Sequence, residues 1–109
     1  MKLNIYDRKK VVKTYTADSY DLMFGLCEDV ANAINLDSIK TGSDTELIQA
    51  VAKLIVGSMD TVKELLKDIF DGITDNEIKH TKVKEIINVF VEVVKYTITQ
   101  INIGVDPKN

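Results

Sequence analysis

Few residues in this sequence could carry catalytic chemistry. His80 is the only histidine and Cys27 the only cysteine, so a Cys/His zinc cluster has no ligand set. A Ser-His-Asp arrangement would have to use His80, and no G-x-S-x-G motif accompanies it. We therefore expect His80 to be a surface residue near a helix boundary. Cys27 falls on the apolar side of a predicted helix, which is typical of a small buried residue and not of a reactive thiol.

Four acidic residues lie close together in the sequence and raise the question of a calcium site: Asp68, Asp71, Asp75 and Glu77. An EF-hand loop needs oxygen ligands at its first, third and fifth positions and glycine at its sixth. Counted from Asp71, the third position is Ile73 and Gly72 is misplaced. We interpret the acidic residues as a helix end followed by a helix start. Because a glycine-rich phosphate loop is also absent from the sequence, we predict no metal, no cofactor and no enzymatic activity.

The bulk composition is that of one small globular domain spanning residues 1–109. Hydrophobic residues make up 45% and charged residues 28% of the chain, which are ordinary values for a folded domain. The apolar runs are too short for a transmembrane helix. Met1 does not lead into the apolar core of a signal peptide. We therefore predict a cytoplasmic protein without a membrane partner.

Charge is divided unevenly along the chain. Residues 1–16 carry five basic residues against one acidic residue, a net charge of +4, so a total of −3 leaves −7 for the remainder. Blocks of opposite sign favour head-to-tail self-association or an acidic partner, although a solvated hairpin tip is the simpler explanation. An acidic body argues against nucleic-acid binding. The candidate self-association residues are Arg8, Lys9, Lys10 and Lys13.

The N-terminal third predicts a β-hairpin followed by a helix. Lys2–Tyr6 alternates polar and apolar residues, residues 7–10 supply a turn, and Val11–Thr16 is rich in β-branched and aromatic residues, so we predict a hairpin over residues 2–16. Asp18 and Ser19 are candidate N-caps for a helix reaching about Asn35. Its apolar stripe would contain Tyr20, Met23, Phe24, Cys27, Val30, Ala31 and Ile34. Gly25 inside it could let another backbone come close.

The stretch from Ser43 to Asp71 predicts one long central helix after a turn-forming segment. Ser43–Glu46 has the spacing of a capping box, and apolar residues recur at steps of one, three and four up to Phe70. An unbroken helix of this length would measure about 40 Å. Gly72 suits the position after a helix end, where positive φ is common. A second capping box, Thr74–Glu77, predicts a short helix from Asp75 to about Lys79, and Thr81 is a candidate cap for the next.

The last long segment, Lys82 to Asn102, is ambiguous because it combines a helical apolar face with many β-branched residues. Its length without a turn signal favours a helix. Val89 and Val93, with Tyr96 near them, would form a second apolar strip outside the core stripe. The resulting fold class is mainly α, with an N-terminal β-hairpin packed on a bundle of three to four helices: a helical body over residues 18–102 and a loose tail over 103–109.

The order of elements resembles a known family. The run KLNIYDRKKVVKTY at residues 2–15 is a short basic hairpin, it leads straight into DSYDLMF at residues 18–24, and an acidic helical body with DGITDNEI at residues 71–78 precedes the last helix. This pattern resembles the small tail assembly chaperones of long-tailed phages and prophages of Gram-positive bacteria, over nearly the full length. The pattern consists of strand, cap and helix lengths and contains no catalytic signature.

The resemblance implies an assembly factor in the host cytoplasm that is absent from the mature virion. Such factors bind and solubilise the helical tape measure protein, help to recruit tail tube subunits, and commonly form homo-oligomers; some members also have a frameshifted longer form. Capture of an amphipathic helix requires apolar surface. The two candidate surfaces are Phe90, Val93 and Tyr96 on the last helix, and Met59, Val62 and Leu66 on the central helix, with plain core as the alternative for both.

Two other classes of function are compatible with the sequence. One is a structural virion protein, such as a head–tail connector or a minor tail component, which would be found in purified particles. The other is a small helical regulatory binding module, which would need a basic recognition helix or a defined cellular target.

Overall fold

The computed structural model describes residues 1–34 and 44–105, and it is mainly α with an N-terminal antiparallel hairpin, as predicted. The elements in chain order are β1 (Lys2–Asp7), β2 (Lys10–Thr16), a 3-10 turn (Ser19–Asp21), α1 (Phe24–Ile34), α2 (Asp44–Gly57), α3 (Met59–Ile69), α4 (Asp75–Ile78) and α5 (Val83–Val105). Buried side chains from the hairpin and from α1 to α5 join in one hydrophobic cluster.

Helix α5 lies at the centre of that cluster and contacts α1, α2, β1 and the 3-10 turn. Among the described side chains of α5, the buried ones are Ile86, Val89, Phe90, Val93, Val94 and Thr97. Its 23 residues confirm the prediction of one continuous helix through the β-branched run, because burial of that broad face outweighs the modest helix propensity of valine and threonine. The helix continues to Val105, so residues 103–105 of the predicted loose tail are helical, while residues 106–109 lie outside the described range.

The predicted long central helix is wrong as a single element, because it is divided at Ser58. Ser58 has φ −153° and ψ 72°, which is not helical, and its hydroxyl donates to Thr61 Oγ1 at 2.7 Å. Gly57 precedes it, and glycine costs about 1 kcal/mol relative to alanine inside a helix. The break lets α2 and α3 each turn an apolar face to the core. Ser43 of the predicted capping box lies outside the described residues.

The segment predicted as the start of the first helix is also different. Asp18 is an N-cap, since its carboxylate accepts a 3.0 Å hydrogen bond from the Tyr20 amide, but it caps only the 3-10 turn. Leu22 is extended, with φ −70° and ψ 133°, and α1 begins at Phe24. Cys27 is buried as predicted. No other part of the described chain comes within 4 Å of a Cβ built on Gly25, so the expected close backbone is not found among the described residues.

The connection from α3 to α5 follows the predicted turn chemistry with one exception. Gly72 has φ +89°, and the capping box of Thr74 and Glu77 is complete. Thr81 was expected to cap α5. Its hydroxyl instead donates to the Ile78 carbonyl at 2.7 Å, so it closes the end of α4 and α5 starts two residues later.

The hairpin is docked along β1 by Glu85 of α5 and by His80, which lies between α4 and α5. Leu3 and Ile5 are buried. Two amides on the outer edge of β1 find hydrogen-bond acceptors without a further strand. The Asn4 amide donates to Glu85 Oε1 at 3.0 Å, and the Tyr6 hydroxyl donates to Glu85 Oε2. The Tyr6 amide donates to the His80 carbonyl at 2.8 Å. These hydrogen bonds stabilise a two-stranded hairpin that would be only marginally stable in isolation.

Glu77 docks the other strand. Tyr15 Oη donates to Glu77 Oε1 at 2.6 Å, the Thr74 amide donates to the same oxygen at 3.1 Å, and Lys13 Nζ lies 3.3 Å from Glu77 Oε2. The Tyr15 hydrogen bond, followed by the Thr74 amide and Lys13, holds the pKa of Glu77 below its ordinary value. One carboxylate therefore connects β2 to the start of α4.

We expect the Glu77 contacts to make stability fall at acid pH. A carboxyl group whose pKa is lowered by folding stabilises the protein above its unfolded-state pKa, and this contribution is lost as the pH falls through the folded-state value. Glu77→Gln should therefore lower the urea midpoint at pH 7, and the gap to wild type should close as the pH drops below the ordinary value of 4.5. Glu64→Gln, on the exposed side of α3, is the control; an unchanged gap at all pH values would contradict the assignment.

Candidate functional site

The residues considered for catalysis have contacts and burial that a purely structural role explains. His80 is exposed, with Nδ1 2.7 Å from the Asn76 carbonyl oxygen, and Cys27 is buried. Asp75 pairs with Lys67 at 2.7 Å, which lowers the pKa of that carboxyl by hydrogen bonding and charge. Over residues 1–34 and 44–105, no group of three or more His, Cys, Asp or Glu side chains is arranged to hold a metal ion.

The two partner surfaces predicted from the sequence require correction. Phe90, Val93, Val62 and Leu66 are all buried, at 0 to 1% exposure. These side chains point into the common core because α5 is covered on several sides and the break at Ser58 turns α3 inward. Of the predicted surface residues, Tyr96 is partly exposed and Met59 is half exposed at the start of α3.

Other large apolar side chains are exposed just before and at the start of α1. Tyr20, Met23 and Phe24 are 81%, 77% and 81% exposed, and we call these three residues the aromatic patch. All three are predicted on a buried stripe, but the extended backbone at Leu22 separates Tyr20 from α1, and Phe24 is exposed as the first residue of that helix. The Tyr20 ring meets Tyr96 edge-on, with centroids 6.0 Å apart, so the patch reaches α5.

A groove between α1 and α5 continues the aromatic patch. It has a volume of about 390 Å³, and we call it the α1/α5 groove. Its lining includes Leu22, Phe24, Cys27, Ala31, Tyr96 and Thr97. The Thr97 hydroxyl donates to the Val93 carbonyl at 2.8 Å, so its hydrogen-bonding capacity is used within its own helix. The groove thus offers a mainly apolar surface, suited to an apolar side chain or the apolar face of a helix.

The predicted self-association residues fall into two groups. Lys13 pairs with Glu77 and lies 4.6 Å from the centroid of the Tyr15 ring, so it helps to dock the hairpin. Arg8, Lys9 and Lys10 are exposed at the turn and form no ion pair within the part of the chain that the structure describes. Arg8 has φ 62°, the left-handed conformation required by a tight turn.

Comparison with known proteins gives no match: no family model, curated protein or solved structure is significantly similar to this chain. Within the described residues, none of the helices combines the length and apolar character needed to cross a membrane.

Two phenylalanines provide a matched test of core against surface. Phe90→Ala should lower the free energy of unfolding by about 3–5 kcal/mol, because it empties a fully buried site. Phe24→Ala should change it by less than about 0.5 kcal/mol, because the ring is mostly exposed. Urea unfolding followed by circular dichroism measures both. Equal losses would show that the aromatic patch is core, and an unaffected Phe90→Ala variant would contradict the central position of α5.

Proposed function

We propose that this protein is a tail assembly chaperone that captures an amphipathic helical segment of a tape measure protein on the aromatic patch and the α1/α5 groove. The carrying observation is the exposure of Phe24, which lines an apolar groove, and of Tyr20, which contacts Tyr96 of the same groove; Met23 is exposed next to Phe24 in the sequence. Exposed apolar residues that are contiguous mark interaction sites far more often than scattered ones do. The sequence resemblance supplies the class of partner.

The chemistry of the patch fits a helical client. Tyr20 and Phe24 provide large apolar area with few rotatable bonds, and Met23 is flexible enough to adapt to varied side chains. A client helix would place apolar residues three and four positions apart against the patch and insert one of them into the groove. Masking those residues would keep a long apolar tape measure protein from aggregating until tail tube subunits are recruited around it.

The acidic surface beside the groove adds a preference for client charge. Glu28 lines the groove and is exposed, as is the neighbouring Asp29. A client helix with lysine or arginine flanking its apolar stripe would therefore be favoured over one with acidic flanks. The proposed setting is the host cytoplasm, with the chaperone leaving before the virion is complete.

Co-expression with the tape measure protein encoded beside it tests the proposal. Wild-type protein should hold the tape measure protein in the soluble fraction and co-purify with it. Phe24→Asp should reduce the co-purified amount at least about tenfold, the loss that corresponds to about 1.4 kcal/mol of binding free energy. The substitution should leave the fold intact, since a negative charge is favourable at the start of a helix.

Val56→Asp is the matched control, because Val56 is also exposed, at 85%, but lies on α2 outside the groove. Retained binding by Val56→Asp and loss by Phe24→Asp would support the assigned surface. Equal binding by both variants would contradict that surface. A tape measure protein that stays insoluble with wild type would overturn the chaperone function. Recovery of the chain from purified particles would favour a minor tail or connector protein, and capture of a cellular target instead would favour a regulatory module.

A further inference from the structure

The outer edge of β2 lies open on the surface. On the other side of the hairpin, α5 packs along β1, and the outward Asn4 and Tyr6 amides of β1 already have acceptors in the helical body. β2 is joined to the helices through side chains that contact Glu77, and no third strand pairs with it among the described residues. An uncovered edge of this kind is a template for main-chain pairing with another chain.

Two residues on that edge point their backbone hydrogen-bonding groups away from β1. Thr14 lies opposite Asn4, and Thr16 lies opposite Lys2. The Asn4 amide donates to Glu85 and not to β2, so Asn4 and Thr14 form a non-hydrogen-bonded pair. Strand alternation makes Lys2 and Thr16 the next such pair. Both threonines are exposed, and neither amide has an acceptor within the part of the chain that the structure describes.

The end of β2 at the hairpin turn is basic and partly apolar, and we call residues 8–12 the basic tip. Its three cations, Arg8, Lys9 and Lys10, are exposed and have no ion pair among the described residues. Its two valines are 45% and 58% exposed. Adjacent unpaired cations attract carboxylates, and exposed valines can pack against the side chains of an added strand. The occupant that this edge favours is therefore extended and acidic.

Arg8 occupies a turn position that favours glycine. Asp7 and Lys10 pair across the turn, so its two central residues are Arg8 and Lys9. Among the described residues other than glycine, only Arg8 has positive φ, at 62°. A two-residue hairpin turn with positive φ at its first central position alone is type II′, where glycine is the usual residue. A guanidinium held at a strained position is evidence that its charge has a role beyond the turn.

We propose that the outer edge of β2 receives an extended acidic segment of a partner protein as an added strand, hydrogen-bonded to Thr14 and Thr16. The carboxylates of that segment lie at the basic tip, because Asp18 and Asp21 share a surface depression with Thr16 and would repel them there. β2 itself contains no acidic residue, so a second copy of this strand brings no carboxylate along its length. Main-chain pairing supplies affinity and the charges supply selectivity.

The added strand would contact neither the aromatic patch nor the α1/α5 groove. The inference therefore does not depend on the proposed chaperone function, and each can fail without the other.

Blocked synthetic peptides of about eight residues, a common strand length, test the pairing. One half of the peptide is glutamate and the other alternates threonine with valine. Two versions place the glutamates first or last, so that either strand direction can bring them to the basic tip. In NMR titrations of the full chain at low salt, the better version should protect the Thr14 and Thr16 amides from hydrogen exchange. Its dissociation constant should rise at least about tenfold between about 50 mM and 500 mM salt.

Modified peptides separate main-chain pairing from charge. N-methylation of one alternate set of peptide amides should weaken binding at least about tenfold, and methylation of the other set should not, because only one set faces β2. Replacing the glutamates by lysine should also weaken binding at least about tenfold, since the charges at the basic tip then repel.

Thr14→Pro removes the outward amide and leaves the ladder to β1, because proline is tolerated where an edge-strand N–H faces solvent. It should weaken peptide binding at least about tenfold. Thr14→Val keeps the amide and is the matched control, which should bind like wild type. Circular dichroism verifies that each variant is folded, and the N-methylated peptides test the same hydrogen bonds without altering the protein.

Arg8→Gly separates the turn from the charge. Glycine adopts positive φ without strain, so the urea midpoint should not fall. Loss of one exposed charge should weaken peptide binding about threefold. A turn residue without a binding role would show the first result and not the second.

Four results would overturn the inference. One is the absence of peptide binding at about millimolar concentration in low salt. Another is unchanged binding by Thr14→Pro, which would place the peptide elsewhere. Protection of the Thr14 and Thr16 amides that grows with protein concentration, without peptide, would show that a second copy occupies the edge. Tighter binding of a single-stranded oligonucleotide than of either acidic peptide would show that the basic tip recognises phosphate.

Discussion

The structure depends on the burial of one broad face of α5. That helix is rich in valine, isoleucine and threonine, which are only moderate helix formers, and in isolation it would gain little from its backbone. Burying Phe90, Val93 and Val94 almost completely supplies the missing free energy, since each such side chain contributes about 1.5–3 kcal/mol on removal from water. The break at Ser58 is a consequence, because α2 can then pack on α5 while α3 packs against α1 and α2, which one straight helix could not do.

The sequence was sufficient for features decided by local chemistry. The Thr74–Glu77 capping box and the positive φ at Gly72 depend on residues within a few positions of one another, and both were predicted. The hairpin and the continuity of α5 were also predicted, although their stability depends on burial in the assembled core. The division at Ser58 was missed because apolar periodicity passes through Gly57 and Ser58 without interruption. A helix break of this kind depends on where the two stripes must point, and that is a property of the assembled core.

The same limit explains why the predicted binding surface turned out to be core. A strip of valines beside a core stripe has two explanations, a partner or a second packed neighbour, and periodicity cannot distinguish them. Val93 is fully buried in the folded chain, whereas Tyr20 and Phe24 are mostly exposed, although all three fit an apolar stripe. The extended backbone at Leu22 separates Tyr20 from α1. It follows from the capping of a short 3-10 turn by Asp18 and not from the hydrophobic pattern.

Leu22 also shows how a short turn positions the wall of a binding groove. It lines the α1/α5 groove, and it follows the 3-10 turn in extended backbone. Its amide donates to the Ser19 carbonyl at 3.2 Å, and Asp18 caps the same turn. The place of Leu22 in the groove therefore depends on the capping of the 3-10 turn and not on the helical hydrogen bonds of α1.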